Sequence, residues 1–140
     1  MFERVRFARY ALRFERAFQS DDWSAVRECF HPDACYTVAG SGTSYDGETR
    51  SRDAIVQLFQ RMLNDYDRKF DKRSPRLTGF PRVRDGELDL RWSVRYTLRG
   101  ESVLLTGRSQ CQFTGGQIIA LRDTMLADEC ARWAALAARA

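Results

Sequence analysis

Residues 85–98 read Asp85-Gly86-Glu87-Leu88-Asp89-Leu90-Arg91-Trp92-Ser93-Val94-Arg95-Tyr96-Thr97-Leu98, an Asp-Gly turn followed by unbroken alternation. Apolar and polar side chains that alternate at period two are the pattern of a half-buried strand. Leu88, Leu90, Trp92, Val94, Tyr96 and Leu98 fall on one face, and Asp89, Arg91, Ser93, Arg95 and Thr97 on the other. Asp-Gly is a strong hairpin turn. Arg99-Gly100 turns the chain again, and Val103, Leu105, Gly107, Ser109, Cys111 and Phe113 share one face of the next strand. Gly115-Gly116 turns it once more, and Ile119, Leu121, Asp123 and Met125 share a face of the last. This is an antiparallel meander.

Upstream, the period changes. Leu77 to Val83 reads as a strand interrupted by Pro81, which places it at an edge or a bulge. Before Pro75, from Ser51 to about Asp71, Ile55, Leu58, Phe59, Met62, Tyr66 and Phe70 recur at helical spacing. Gly40, Gly42 and Gly47 mark a loop around Tyr45 and Asp46. Ala34 to Val38 reads as a short strand. Phe7, Tyr10, Ala11, Phe14, Ala17 and Phe18 form the apolar face of a first helix. Ser20-Asp21-Asp22 supplies a cap for a second, shorter helix carrying Trp23, Val26 and Phe30 and stopping at His31-Pro32. Downstream, Ala127 to Ala140 is alanine-rich, with Cys130, Trp133 and Ala137 on one side of a docking helix. Helices first and a meander after predict an α+β fold, with helices on one face of the sheet.

The 140 residues suit a single domain spanning 1–140, long enough to fold without disulfides or metal. The net charge is +4, and acidic residues are scattered among the basic ones. A nucleic-acid binder would concentrate its basic residues in one stripe, so this charge argues against nucleic acid as a partner. Cys29, Cys35, Cys111 and Cys130 are widely spaced, with no CxxC pair and no metal-ligand spacing to His31. Free thiols in a reducing compartment, an N-terminus with no apolar signal region and the lack of a spanning apolar run together predict a cytoplasmic protein with no membrane segment.

Several local motifs and their order resemble the nuclear-transport-factor-2-like superfamily, specifically its SnoaL-like branch. They are Asp22-Trp23-Ser24-Ala25-Val26, Phe30-His31-Pro32-Asp33-Ala34-Cys35-Tyr36, Gly47, Ser51-Arg52-Asp53-Ala54-Ile55, and Gly116 to Asp123. The resemblance implies a cone: a curved antiparallel sheet wrapped around a long helix, with two further N-terminal helices, a C-terminal helix and an apolar cavity at one end. It also implies a cofactor-independent protein that pairs as a homodimer. The convex sheet face, where Arg91, Arg95 and Arg108 lie, reads as solvent or as the face through which relatives pair, with an anion or nucleic-acid site the third choice.

Two groups of relatives bear on the chemistry. The positions that ketosteroid isomerases of this fold use for a tyrosine and two aspartates fall here on Phe14, Val38 and Ser109, none of which can do that work. Limonene-epoxide hydrolases use a tyrosine and an asparagine on the first strand, an Arg-x-Asp pair on a middle strand and an aspartate on the last. Tyr36 and Asp123 match by motif, whereas the asparagine falls on Val38 and the Arg-x-Asp pair near Trp92 and Val94. Asp89-x-Arg91 lies on the opposite face from Trp92 and so faces solvent.

Asp123 is therefore the leading candidate for chemistry. A carboxylate among Ile119, Leu121 and Met125 has its charged form disfavoured by desolvation, which is how an acid or base near neutral pH is made. Tyr36 is the second catalytic candidate, and Tyr10, Tyr96 and Ser109 are candidate hydrogen-bond donors to a ligand. Phe14, Val38, Phe59, Trp92, Val94 and Leu121 are candidate pocket wall, and Cys111 falls on the cavity side by alternation. Two readings stay open. One is a cyclase, dehydratase, isomerase or hydrolase acting on an apolar polyketide- or terpene-like molecule, with Asp123 as acid or base. The other is a non-catalytic ligand-binding or dimeric assembly module.

Overall fold

The computed structural model describes residues 2–140. In chain order the elements are α1 (Phe2–Ser20), α2 (Ser24–Glu28), β1 (Phe30–Ala39), β2 (Gly47–Arg50), α3 (Arg52–Asp65), a 3-10 turn (Asp67–Lys69), β3 (Lys72–Leu77), β4 (Arg82–Arg84), β5 (Glu87–Leu98), β6 (Glu101–Thr114), β7 (Gln117–Met125) and α4 (Ala127–Ala137). The strands form one curved, open sheet in the order β2-β1-β7-β6-β5-β3, with β4 also paired to β5.

The meander β5-β6-β7 is built as the alternation predicts. Its two-residue turns place Asp85-Gly86, Arg99-Gly100 and Gly115-Gly116 at positive φ, the backbone that lets a tight hairpin follow the twist of its strands. The sheet as a whole departs from the antiparallel expectation. β1 runs parallel to β7, pairing Tyr36 with Leu121 and Val38 with Asp123. Parallel neighbours need a long crossover, and the helices and strands between β1 and β7 supply it.

Other boundaries differ for local reasons. α2 ends at Glu28, so His31-Pro32 lies within β1 and does not stop the helix. Between Phe30 and Cys35 the β1–β7 register shifts, and Pro32, which lacks an N–H, is accommodated in that irregularity. The loop expected around Gly47 contains a short strand, β2, which pairs with Cys35 to Val38. The long helix closes at Asp65, short of Asp71, because Tyr66 leaves helical geometry (φ −129°, ψ −71°). The strand expected over 77–83 is not formed: residues 78–81, with Pro81, are a loop between β3, which ends at Leu77, and β4, which begins at Arg82, and both strands pair with β5. A register shift between Gln112 and Phe113 leaves Ile119 without a partner in β6 and turns Ile118 inward in its place, at 1 % exposure. Such shifts bend the strand that carries them.

Two apolar clusters fill the concave side of the sheet. The larger joins α1, α2 and α3 to β1, β7 and the near parts of β5 and β6, with Val26, Phe30, Ile55 and Leu88 wholly buried. The smaller packs Cys130, Trp133 and Leu136 of α4 on Val94, Tyr96, Leu98, Val103 and Leu105. Burial of each such large side chain contributes about 1.5–3 kcal/mol. Trp92 and Met125 touch both clusters. No helix is long and apolar enough to cross a membrane among the described residues.

Candidate functional site

A cavity of about 380 Å³ opens where the two clusters meet. Among the residues singled out from the sequence, Tyr10, Phe14, Tyr36, Val38, Phe59, Trp92, Val94, Tyr96, Ser109, Leu121 and Asp123 all line it. Cys111 does not. It is wholly buried in the larger cluster behind the wall, where burial pushes its thiol well above the ordinary value and leaves it inert as a nucleophile.

The polar centre is assembled by strand register. Pairing of β6 with β7 sets Ser109 opposite Asp123, and parallel pairing sets Val38 opposite Asp123, one inward position from Tyr36. The Tyr36 hydroxyl donates to Asp123 Oδ2 at 2.7 Å, and the Ser109 hydroxyl donates to Oδ1 at 2.6 Å. Trp92 Nε1 in turn donates to Ser109 Oγ at 2.9 Å. Because a serine hydroxyl has one hydrogen, the donation from Trp92 directs that hydrogen onto Asp123. The indole of Trp92 reaches this position by lying over Gly107, its partner in β6, where an added Cβ would stand 2.1 Å from Trp92 Cζ2.

Asp123 is half-buried, and its neighbours offer neutral donors with no cation. Burial raises its carboxyl above the usual carboxylate value, and the hydrogen bonds from Ser109 and Tyr36 oppose that only in part. Burial, with the charge of Asp123, likewise holds the Tyr36 phenol well above its ordinary value. The arrangement has two proton states. With Asp123 ionised, Tyr36 points its hydrogen at Oδ2. With Asp123 neutral, the carboxyl can donate to the Tyr36 oxygen and free the phenolic hydrogen for a ligand.

A second carboxylate, missed in the sequence, lines the same cavity. Asp67 is 7 % exposed, with Arg73 Nε and the Tyr96 hydroxyl both donating to its Oδ2 at 2.8 Å. In sequence it sits between Tyr66 and Arg68, as any surface aspartate at the end of a helix would. His31 serves the chain locally, its Nδ1 accepting from the Asp33 N–H at 3.0 Å. Asp89 and Arg108 form an ion pair on the outer face of the sheet, away from the cavity. Among the described residues, no group of three His, Cys, Asp or Glu side chains is arranged to hold a metal ion.

Residues 11–128 match the sequence profile of the SnoaL-like domain. The chain therefore belongs to the SnoaL-like domain family. A comparison with curated proteins returned no match. Similar solved structures include a putative isomerase from Rhodopseudomonas palustris (11% identity, 93% of this chain and 96% of that one, TM-score 0.72). A second is a nuclear-transport-factor-2-like protein of unknown function from Burkholderia pseudomallei (17% identity, 91% and 96%, TM-score 0.70). A third is TerC co-crystallised with polyporic acid (14% identity, 90% and 95%, TM-score 0.68). At these identities the likeness is one of fold, and it matches the cone expected from the sequence.

Proposed function

We propose that the protein is an enzyme that transfers a proton on an uncharged, largely apolar small molecule, with Asp123 as the acid or base and Tyr36 as the group that touches the substrate oxygen. The observation that carries this reading is a carboxylate held by neutral donors alone, inside an apolar cavity. A structural aspartate in such a place would be expected to carry an arginine, as Asp67 does. In the acid direction the Tyr36 hydroxyl gives its proton to the substrate as the Asp123 carboxyl reprotonates it, leaving the Asp123 carboxylate. The base direction is the reverse. Trp92 and Ser109 hold the carboxyl oriented throughout. A cyclisation, dehydration, isomerisation or hydrolysis of a polyketide- or terpene-like substrate can each use such a step without a cofactor. Tyr10, Phe14, Phe59, Val94 and Leu121 provide wall. Ser109 and Tyr96, read from the sequence as donors to a ligand, commit their hydroxyl hydrogens to Asp123 and Asp67 and offer a ligand only their oxygens as acceptors. The same reading has the chain acting as a single domain over 1–140 and a homodimer in the cytoplasm, paired through the outer face that carries Arg91, Arg95 and Arg108.

A generic proton-abstraction substrate, 5-nitrobenzisoxazole, tests the role of Asp123 without knowledge of the natural one. The wild type should accelerate its elimination, with a rate that rises with pH around a midpoint above the ordinary carboxylate value of 3.8. Asp123→Asn should remove the acceleration while the affinity, read from tryptophan quenching, stays. Equal rates in the two proteins would sink the assignment. The substitution of Phe14 and Val38 for catalytic groups found in relatives is the one feature favouring a non-catalytic binding module, and that reading predicts those equal rates.

A further inference from the structure

The cavity has a second polar cluster, and its chemistry differs from that of Asp123. Asp67 comes from the turn after α3, Arg73 from β3, Tyr96 from β5 and Glu15 from α1, and all four line the cavity. Arg73 Nε donates to Asp67 and Nη1 donates to Glu15 Oε1. Its side chain is 13 % exposed, with the guanidinium carbon 6.0 Å from the Phe14 ring centroid and 5.2 Å from that of Phe18. Two carboxylates and two rings thus hold one arginine in a single orientation beside the Tyr96 hydroxyl, with which the guanidinium also interacts. The bonds to Asp67 and Glu15 use Nε and Nη1 and leave the Nη2 hydrogens to Tyr96 and a ligand.

The two clusters lie at different places along the sheet. Trp92 and Tyr96 share the inner face of β5, four residues apart, or about 13 Å along the strand. On β6, Tyr96 is paired with Val103, six residues from Ser109, or about 20 Å. Apolar wall from Trp92 and Val94 separates them.

We propose that Arg73 and Tyr96 form a second recognition site in this cavity, for an oxygen on the end of the ligand remote from Asp123. Arg73 Nη2 donates to that oxygen, and the Tyr96 oxygen, whose hydrogen is committed to Asp67, accepts from it when it is a hydroxyl. The ligand end is an uncharged carbonyl or hydroxyl, because Glu15, Asp67 and Asp123 line the cavity against Arg73 and Arg76 and leave no excess of positive charge for an anion. The substrate class is then an elongated apolar molecule oxygenated at both ends. This inference rests on the reading that the cavity takes a small molecule.

Two matched pairs of probes test it: biphenyl against 4,4′-dihydroxybiphenyl, and trans-stilbene against 4,4′-dihydroxystilbene, with affinities read by quenching of Trp92 and Trp133. At least one diol should be weakened about tenfold by Arg73→Lys, which loses a hydrogen bond to a charged donor, and about fivefold by Tyr96→Phe, which loses a neutral one. The affinity of the matching hydrocarbon should stay as it is in the wild type. Tyr96→Phe leaves the Arg73–Asp67 pair in place, so it carries the test alone if Arg73→Lys fails to fold. Undiminished diol binding in Tyr96→Phe, or an equal loss for diol and hydrocarbon, overturns the second site and leaves the pocket reading standing. Failure of all four probes to bind the wild type overturns the pocket reading, and the second site with it.

Discussion

Asp123 links proton binding to stability. Burial raises its folded-state value above that of the unfolded chain, so the native state keeps this proton to higher pH than the unfolded state does. The stability this group contributes is full below the unfolded value near pH 4 and is lost as pH rises through the folded one. The melting temperature of the wild type should therefore fall more steeply above about pH 4 than that of Asp123→Asn. Parallel pH–melting curves for the two proteins would mean that Asp123 is not perturbed. Gly107 is the other residue on which the site depends. Gly107→Ala places a methyl against the Trp92 indole, and overpacking of this kind costs about 1–3 kcal/mol. The displaced indole releases Ser109, so a shift in tryptophan emission should accompany the loss of stability measured in urea. A variant with wild-type stability and emission would show that the sheet can absorb the methyl.

At the scale of elements, α4 closes one side of the cavity through a single large side chain. Trp133 is 5 % exposed, stacks on Tyr66 with ring centroids 4.3 Å apart, and lies 5.5 Å from the ring of Tyr96. Trp133→Ala should cost about 3–5 kcal/mol in chemical denaturation, as large-to-small changes at buried aromatics do. It should also speed hydrogen exchange in α4 ahead of β5 and β6, because α4 is held to the sheet by side chains alone, Trp133 with Cys130, Leu136 and Ala137 and the Thr106–Glu129 hydrogen bonds, and not by strand pairing. A cost under about 1 kcal/mol would mean that α4 is only loosely docked. The break after α3 follows the same logic. A continued helix would carry Asp67 away from Arg73 and Tyr96, so the turn at Tyr66 and the buried network occur together.

For the whole molecule, the proposals of a single domain and a homodimer have separate tests. Calorimetry should give one transition, unchanged by reductant, because all four cysteines are free. Two resolved transitions would divide the chain. Sedimentation equilibrium should give twice the chain mass, and Arg91→Glu with Arg95→Glu on the exposed outer face should reduce it to one chain. A wild-type monomer at the highest concentrations measured would dispose of the dimer.

What the sequence determined by itself is what periodicity can carry. Alternation over 88–98, 103–113 and 119–125 assigns inward and outward faces, and by itself it places Trp92, Ser109 and Asp123 on the inner side. Helical spacing over 7–18 and 55–62 located the helices that cover that side, whereas the cap expected from Ser20-Asp21-Asp22 is displaced, α2 starting after Trp23 with no side-chain cap and Asp22 accepting from the Ser24 N–H. These signals are local, since a side chain's face depends on its neighbours along the chain. Tertiary structure alone decided the rest. The parallel pairing of β1 with β7 brings Tyr36 to Asp123 across 87 residues, and packing of α1, β3 and β5 buries Asp67 beside Arg73. Ile119 was read as inward and Cys111 as lining the cavity because a register shift and the depth of a wall leave no mark on local alternation. Desolvation and the choice of hydrogen-bond partner depend on segments distant in sequence, and those are what separate a reactive carboxylate from a structural one.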